Sequence, residues 1–535
     1  MSGNLTTSLV LFCQSSGLEM NFHLVLEGKP ARQEQKFITL TKYVQKYPQG
    51  WKKRLELAGL LYETGNWQQA VAEYRQVLER QPQLLNVRLY LGKILQFMGL
   101  ETEAVEVYEK ALFGSDNAGT QNHINGLIAV CRGESQQAII AFNLATNLEP
   151  DKVVHWLALA QVHQQIENPF GVLSALKQVL SINPDDVVAL IYSYDALIAV
   201  GDIAAARGQL SRVTALAGDD FRVLQRQIDR HLQMRLVSGK EGKQTKKMIT
   251  SLLLQAPHGA EAHKSLAYYH IFRGDRAQGV QVLAEFTAEH PHHPYGWYYY
   301  GRCLFDTGEY QKAAQMMGKA YRLYPDDCEI YRALCEILPV ANSPLAPLLG
   351  GEGNVVEEML RRFPERWSVW VTAGRVLVEC FKEIEGGCSV SEQGTKLQPQ
   401  LADAWFSHGR VLALAGKHRE AVEVLEKGWE LLPDGGYIQS VPAAVWLGES
   451  YGVLRDVGAS KWWEAAGEGC RELREFNPAM ADYWLGRALV GLGDKLGAIG
   501  AYEGALSQEL LYPARGEVEK ILKGLKGKGR KGLGG

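Results

Sequence analysis

A fixed period governs this chain. Pro48, Pro82, Asp116, Pro150, Pro184 and Gly218 follow one another at intervals of 34 residues, and the beat returns at Pro257, Pro291 and Pro325. It continues with small insertions through Pro364, Pro399, Pro433 and Pro478. Repetition at this length means a stack of small supersecondary units, because one unit cannot bury its apolar face alone and must lay it against the next copy.

Within a period the residues spell two amphipathic helices and two turns. After Trp51, the apolar Leu57, Ala58 and Leu61 fall at helical spacing, Gly65 marks a turn, and Ala70, Tyr74 and Val77 form a second stripe before Pro82. The next copy reads Leu91, Gly92, Leu95, Gly99, Ala104, Tyr108 and Ala111, and a later one Tyr300, Gly301, Leu304, Gly308, Ala313, Met317 and Ala320. Small residues recur where the two helices must approach closely. Glycine in the turn supplies a left-handed backbone, and proline ends one helix and opens the next. The pattern W-x2-L-G-x2-Y, A-x3-F, P resembles the tetratricopeptide repeat family. Trp297, Gly301, Ala313 and Pro325 carry it, as do Trp405, Gly409, Ala421 and Pro433, with Trp156, Leu159 and Pro184 matching in part. The resemblance covers residues 17 to 510 in about fourteen units and implies an all-α fold. That fold is an α-solenoid, a right-handed superhelix of stacked antiparallel helix pairs.

The expected organisation is a lead-in over 1–16, a first array over 17–218, and a degenerate repeat or hinge over 219–257, where the run SGKEGKQTKK is polar. A second array follows over 258–510, with a loop inserted at 339–354, and a capping helix with a basic Gly/Lys tail closes the chain over 511–535. The unit closing at Pro399 has a poor second helix around CSVSEQGTKLQ.

Composition narrows the function classes. A formal net charge of −3 and a pI near 6.5 withhold the positive field that a nucleic-acid binder needs. The 8 cysteines are scattered without a CxxC pair and read as reduced core residues. No Lys or Arg precedes Lys29, so a secretory leader is not expected, and no apolar run approaches the roughly 20 residues that span a bilayer. The expectation is a cytoplasmic protein without a membrane segment.

Sequence matches to catalytic motifs fail on context. Gly448 to Gly452 reads G-x-S-x-G, but inside the first helix of a repeat rather than at a strand-to-helix elbow. Gly527 to Gly532 reads G-x-G-x-x-G in the terminal tail, without strand or helix to frame it. His290, His292 and His293 cluster in a proline-flanked turn that reads as exposed rather than metal-binding. No catalytic residue, cofactor or metal is called for.

In the family this chain resembles, the first helices line a concave groove and the residue after the small one points into it. That position reads Tyr268, Arg302, Glu336, Arg375, Arg410, Glu449 and Arg487 along the second array, and the residues four before it include Tyr298, Phe406 and Tyr483. Two readings stay open. Arg and Glu on neighbouring helices can pair with each other, Arg302 with Glu336 and Glu449 with Arg487. Alternatively, Arg302, Arg375, Arg410 and Arg487, with Tyr298, Phe406 and Tyr483, take an extended acidic peptide. Helices packed about 10 Å apart would meet every third side chain of a strand advancing about 3.3 Å per residue. The resulting functional expectation is a non-catalytic scaffold or adaptor for other proteins. A regulatory subunit of an enzyme complex is the alternative, and an RNA-binding repeat protein is the weaker one.

Overall fold

The computed structural model describes residues 30–63, 67–341, 355–432, 438–511 and 515–527. These hold 28 α-helices and, among the described residues, no strand. The chain divides into two compact units, one ending at Ala196 and one beginning at Leu197.

The first unit opens with α1 (Pro30–Lys46) and runs through four hairpins: α2 (Trp51–Glu63) with α3 (Trp67–Arg80), α4 (Leu85–Phe97) with α5 (Glu101–Phe113), α6 (Ala118–Cys131) with α7 (Ser135–Leu148), and α8 (Val153–Gln165) with α9 (Pro169–Ile182). Helix α10 (Val187–Val200) crosses the boundary. In the second unit α11 (Ile203–Ala217) leads into α12 (Phe221–Gln233) and α13 (Gly239–Gln255), then α14 (Ala260–Phe272) and α15 (Arg276–Glu289), α16 (Pro294–Asp306) and α17 (Tyr310–Leu323), α18 (Cys328–Val340) and α19 (Val355–Arg362). It continues with α20 (Trp367–Val376) and α21 (Ile384–Leu397), α22 (Ala402–Leu414) and α23 (His418–Glu430), α24 (Ser440–Val453) and α25 (Ala459–Arg474), α26 (Pro478–Gly491) and α27 (Lys495–Ser507), and ends with α28 (Arg515–Gly527).

Two glycine slots make the hairpins possible. In the turn, Gly99, Gly133, Gly201, Gly274, Gly308, Gly416 and Gly493 all hold positive φ, between 69° and 90°. In the first helix, a Cβ added to Gly92 would sit 2.3 Å from the ring of Tyr108, and one added to Gly126 would sit 2.5 Å from that of Phe142. Aromatic rings of the second helix thus lie flat on the backbone of the first. Several inter-repeat prolines also have a donor six residues on: the indoles of Trp156, Trp297, Trp370 and Trp405 donate to the carbonyls of Pro150, Pro291, Pro364 and Pro399 at 2.8, 2.9, 2.8 and 3.0 Å. Arg88 serves Pro82 in the same way.

Two segments that break the beat in the sequence are helical. Residues 219–257 contain a helix pair, and SGKEGKQTKK lies on α13, where Gly242, Thr245, Ile249 and Leu252 are buried at helical spacing and the lysines face outward. The supposedly poor helix of the Pro399 unit is α21, 14 residues long, whose glycines serve contact rather than breakage. A Cβ on Gly387 would lie 2.7 Å from the carbonyl oxygen of Gly374, so α20 and α21 meet backbone to backbone. A π-helical turn, Leu377–Phe381, follows α20 and ends at Lys382 with φ 62°. The 1–16 lead-in, the body of the 339–354 insertion and the basic tail beyond Gly527 lie outside the described residues.

Candidate functional site

The first helices of the second unit, α12, α14, α16, α18, α20, α22, α24 and α26, touch in succession and form one layer. They are covered far more completely than those of the first unit. Helix α8 buries only His155, Leu159, Ala160 and Val162, whereas α24 buries every residue from Val441 to Gly448.

A chain of charged groups runs across this layer. Tyr268 donates to Asp306 at 2.5 Å, and Arg302 donates to Glu336 at 3.1 Å. Arg375 donates to the other oxygen of Glu336 at 3.1 Å and to Glu379, one turn along its own helix, at 3.2 Å. Farther along, Arg487 pairs with Glu449, and Arg410 lies 4.0 Å from the second oxygen of the same carboxylate. Each bridging carboxylate therefore serves arginines from the helices on both sides. The four arginine side chains are 9 to 16% exposed. Burial lowers the pKa of Arg302, but Asp306 and Glu336 more than offset it and hold the guanidinium charged. Burial raises Asp306 against the pull of Arg302 and of the Tyr268 hydroxyl.

The structure brings the four arginines onto one layer and places the three aromatics within its packing. Phe406 is fully buried, its ring against the backbone of Gly428. Tyr298 stands edge-on to Tyr299 at 5.1 Å, and Tyr483 edge-on to Trp484 at 5.1 Å. Two residues not singled out from the sequence join them. Trp446 and Trp484 meet edge to face at 6.0 Å, Arg410 lies over the first ring at 5.4 Å and Arg487 over the second at 5.0 Å. Both indole N–H groups are buried without an acceptor. The signal for them was their position three residues before the Glu449 and Arg487 rungs, which shares that helix face as well as the position four before.

Ser450 of the G-x-S-x-G match is fully buried within α24, with His418 Nδ1 at 3.4 Å, and Gly448 takes the flat face of Trp463. Of the histidine cluster, His293 caps α16 by accepting from the Gly296 N–H at 3.2 Å, and His290 pairs with His258 at 3.2 Å. Among the described residues no group of three or more His, Cys, Asp or Glu side chains is placed to hold a metal, and no helix is long and apolar enough to cross a membrane.

Helix pairs repeated at one period, small residues at their crossings and a polar ladder along their first helices define an α-solenoid of the hairpin-stack class. Residues 55–120 and 264–327 match the tetratricopeptide repeat family model, so the chain carries tetratricopeptide repeats. Among solved structures it is similar to yeast Tom70, at 14% identity over 78% of this chain and 97% of that chain, TM-score 0.37. It is also similar to the Cut9–Hcn1 hetero-tetramer of the APC/C, at 12% identity over 97% and 99%, TM-score 0.44. A third is YrrB, a TPR protein with an unusual peptide-binding site, at 17% identity over 35% and 97%, TM-score 0.23. No curated protein matches the sequence.

Proposed function

We propose that this protein is a non-catalytic interaction scaffold that receives an extended segment of a partner protein along the first-helix layer of residues 258–510. The observation that carries the reading is the ladder itself: Arg302, Arg375, Arg410 and Arg487 stand one or two hairpins apart on one layer, with Glu336 and Glu449 on the helices between and Tyr298, Phe406 and Tyr483 packed in the same layer. Acidic side chains of the partner would exchange with Glu336 and Glu449 as acceptors for donors already held in place. The partner's cost of ordering the site is correspondingly small. A cytoplasmic setting fits the seven described cysteines, none of which is joined in a disulfide among the described residues.

The test is affinity purification of the full chain and of R375Q/R410Q from the native cell, followed by mass spectrometry. Glutamine keeps the size and polarity of the site without setting a new carboxylate beside Glu336 and Glu379. Proteins captured by the wild type should be lost or reduced about tenfold or more with the variant, the scale of charged hydrogen bonds removed. Equal capture by a variant of unchanged helix content would remove this layer as the binding surface.

A further inference from the structure

Within the second unit the last hairpin returns onto the first ones. Arg235 holds the turn between α12 and α13 at φ 58°, the left-handed slot that glycine fills at 274, 308, 416 and 493. Its guanidinium bridges two helix ends. Nη1 donates to the carbonyls of Leu232 and Gln233 at 3.0 and 3.1 Å, at the end of α12. Nε donates to the Gln508 carbonyl at 2.9 Å and Nη2 to that of Glu509 at 3.4 Å, just past α27. The same group lies 3.8 Å from the centre of the Phe272 ring. Glu509, itself left-handed at φ 52°, accepts from Nε and Nη2 of Arg276 at 3.0 and 2.5 Å. Leu511 packs against the apolar core of α12 to α18.

These contacts join residues 233 to 274 positions apart, which nearest-neighbour stacking of hairpins does not provide. A non-glycine residue in the left-handed region costs about 1 kcal/mol and persists where its surroundings hold it. Here the surroundings are the carbonyl ends of two helix dipoles, both of which favour a cation. Farther round, burial and then the Glu517 carboxylate raise Tyr310, and burial with the field of Glu379 raises Glu517. Helix α28 therefore lies within electrostatic reach of α17 and of the π-helical turn.

We infer that Arg235, Arg276 and Glu509 form a latch that holds the unit from Leu197 onward closed on itself, and that opens to let a partner segment reach the ladder. The inference rests on reading the ladder as the binding layer. In the closed unit the Arg375 and Arg410 side chains are only 10 and 9% exposed, so little of either guanidinium is open to a peptide. The ties described here are of a kind that separates without unfolding a hairpin: charge-assisted hydrogen bonds from Arg235 and Arg276, the Phe272 ring and Leu511.

Glycine at position 235 keeps the turn and relaxes it while removing the guanidinium, so R235G separates a latch from a turn. R276E and E509R each break the ion pair, and R276E/E509R rebuilds it in reverse. Hydrogen exchange of the full chain at 232–237 and 505–511, with small-angle scattering, reads opening without any partner. R235G and each single reversal should speed exchange at 505–511 about tenfold or more and enlarge the radius of gyration at constant helix content. The double reversal should return both toward the wild type. Unchanged exchange at 505–511 in R235G, or a loss of helix that the double reversal does not repair, would overturn the latch. Because no partner enters this readout, failure of the binding layer, seen as undiminished capture by R375Q/R410Q, is recorded separately.

Discussion

A single atom at the hairpin crossing sets how near two helices come, and that makes residue-level consequences sharp. Gly92→Ala would drive its new methyl into the fully buried ring of Tyr108. The expected loss is about 1–3 kcal/mol, the range for overpacking a core, read by urea denaturation. Buried histidines give a second expectation. Burial, with His155 beside it, lowers His123 to about 3, and burial lowers His408 to about 4. In the unfolded chain both titrate near 6.5. Below that value the unfolded state binds protons that the folded state refuses, so their contribution is complete above about pH 6.5 and is lost as pH falls toward 4 and then 3. The slope approaches 1.4 kcal/mol per pH unit for each histidine. Urea titrations at pH 7 and pH 5 should show H123F losing less stability than the wild type over that interval; equal losses would mean His123 titrates normally.

Helices and turns were the legible scale, and the reasons differ from place to place. Prolines 34 residues apart fixed where hairpins begin, and the turn glycines fixed where they bend, because each marks a backbone state that other residues reach only at a cost. Helix α21 was misread because Gly387 and Gly394 weaken a helix in isolation, yet in place their missing side chains admit the backbone of Gly374 and the side chain of Val371. The partners of Arg375 were hidden for another reason. Glu336 stands one rung before it in the series and was matched there with Arg302 alone, because spacing does not show that one carboxylate serves two arginines, and Glu379 lies one turn on in the same helix, outside the series. Turn chemistry yields its own prediction. Glu167, Lys382 and Arg455 occupy left-handed turn positions without glycine. Arg455 is exposed, so Arg455→Gly should stabilise the chain by about 0.5–1 kcal/mol, the left-handed penalty less the entropy glycine adds to the unfolded state. Chemical denaturation checks the sign.

An open hairpin array has stability that decays with distance from any change, because each repeat feels only its neighbours. The second unit has long-range ties instead: Arg207 to Glu475 at 3.0 Å, Arg235 to the carbonyls past α27, Arg276 to Glu509, and Leu511 on the core of α12 to α18. The first of these is exposed and adds little, so the coupling rests on the other three. Ending the chain after Asp494 would remove α27 and α28 along with all of those three. In an open array, amides of α12 and α14 would not register the loss, since six hairpins lie between the α12–α13 pair and the hairpin that is cut. With the unit closed, hydrogen exchange over 221–276 should quicken about tenfold or more in the truncated chain, while α20 and α22, midway between the two ends, keep their protection. Exchange that changes only next to the cut, in α25 and α26, would establish nearest-neighbour stacking as the sole source of stability in this half of the molecule.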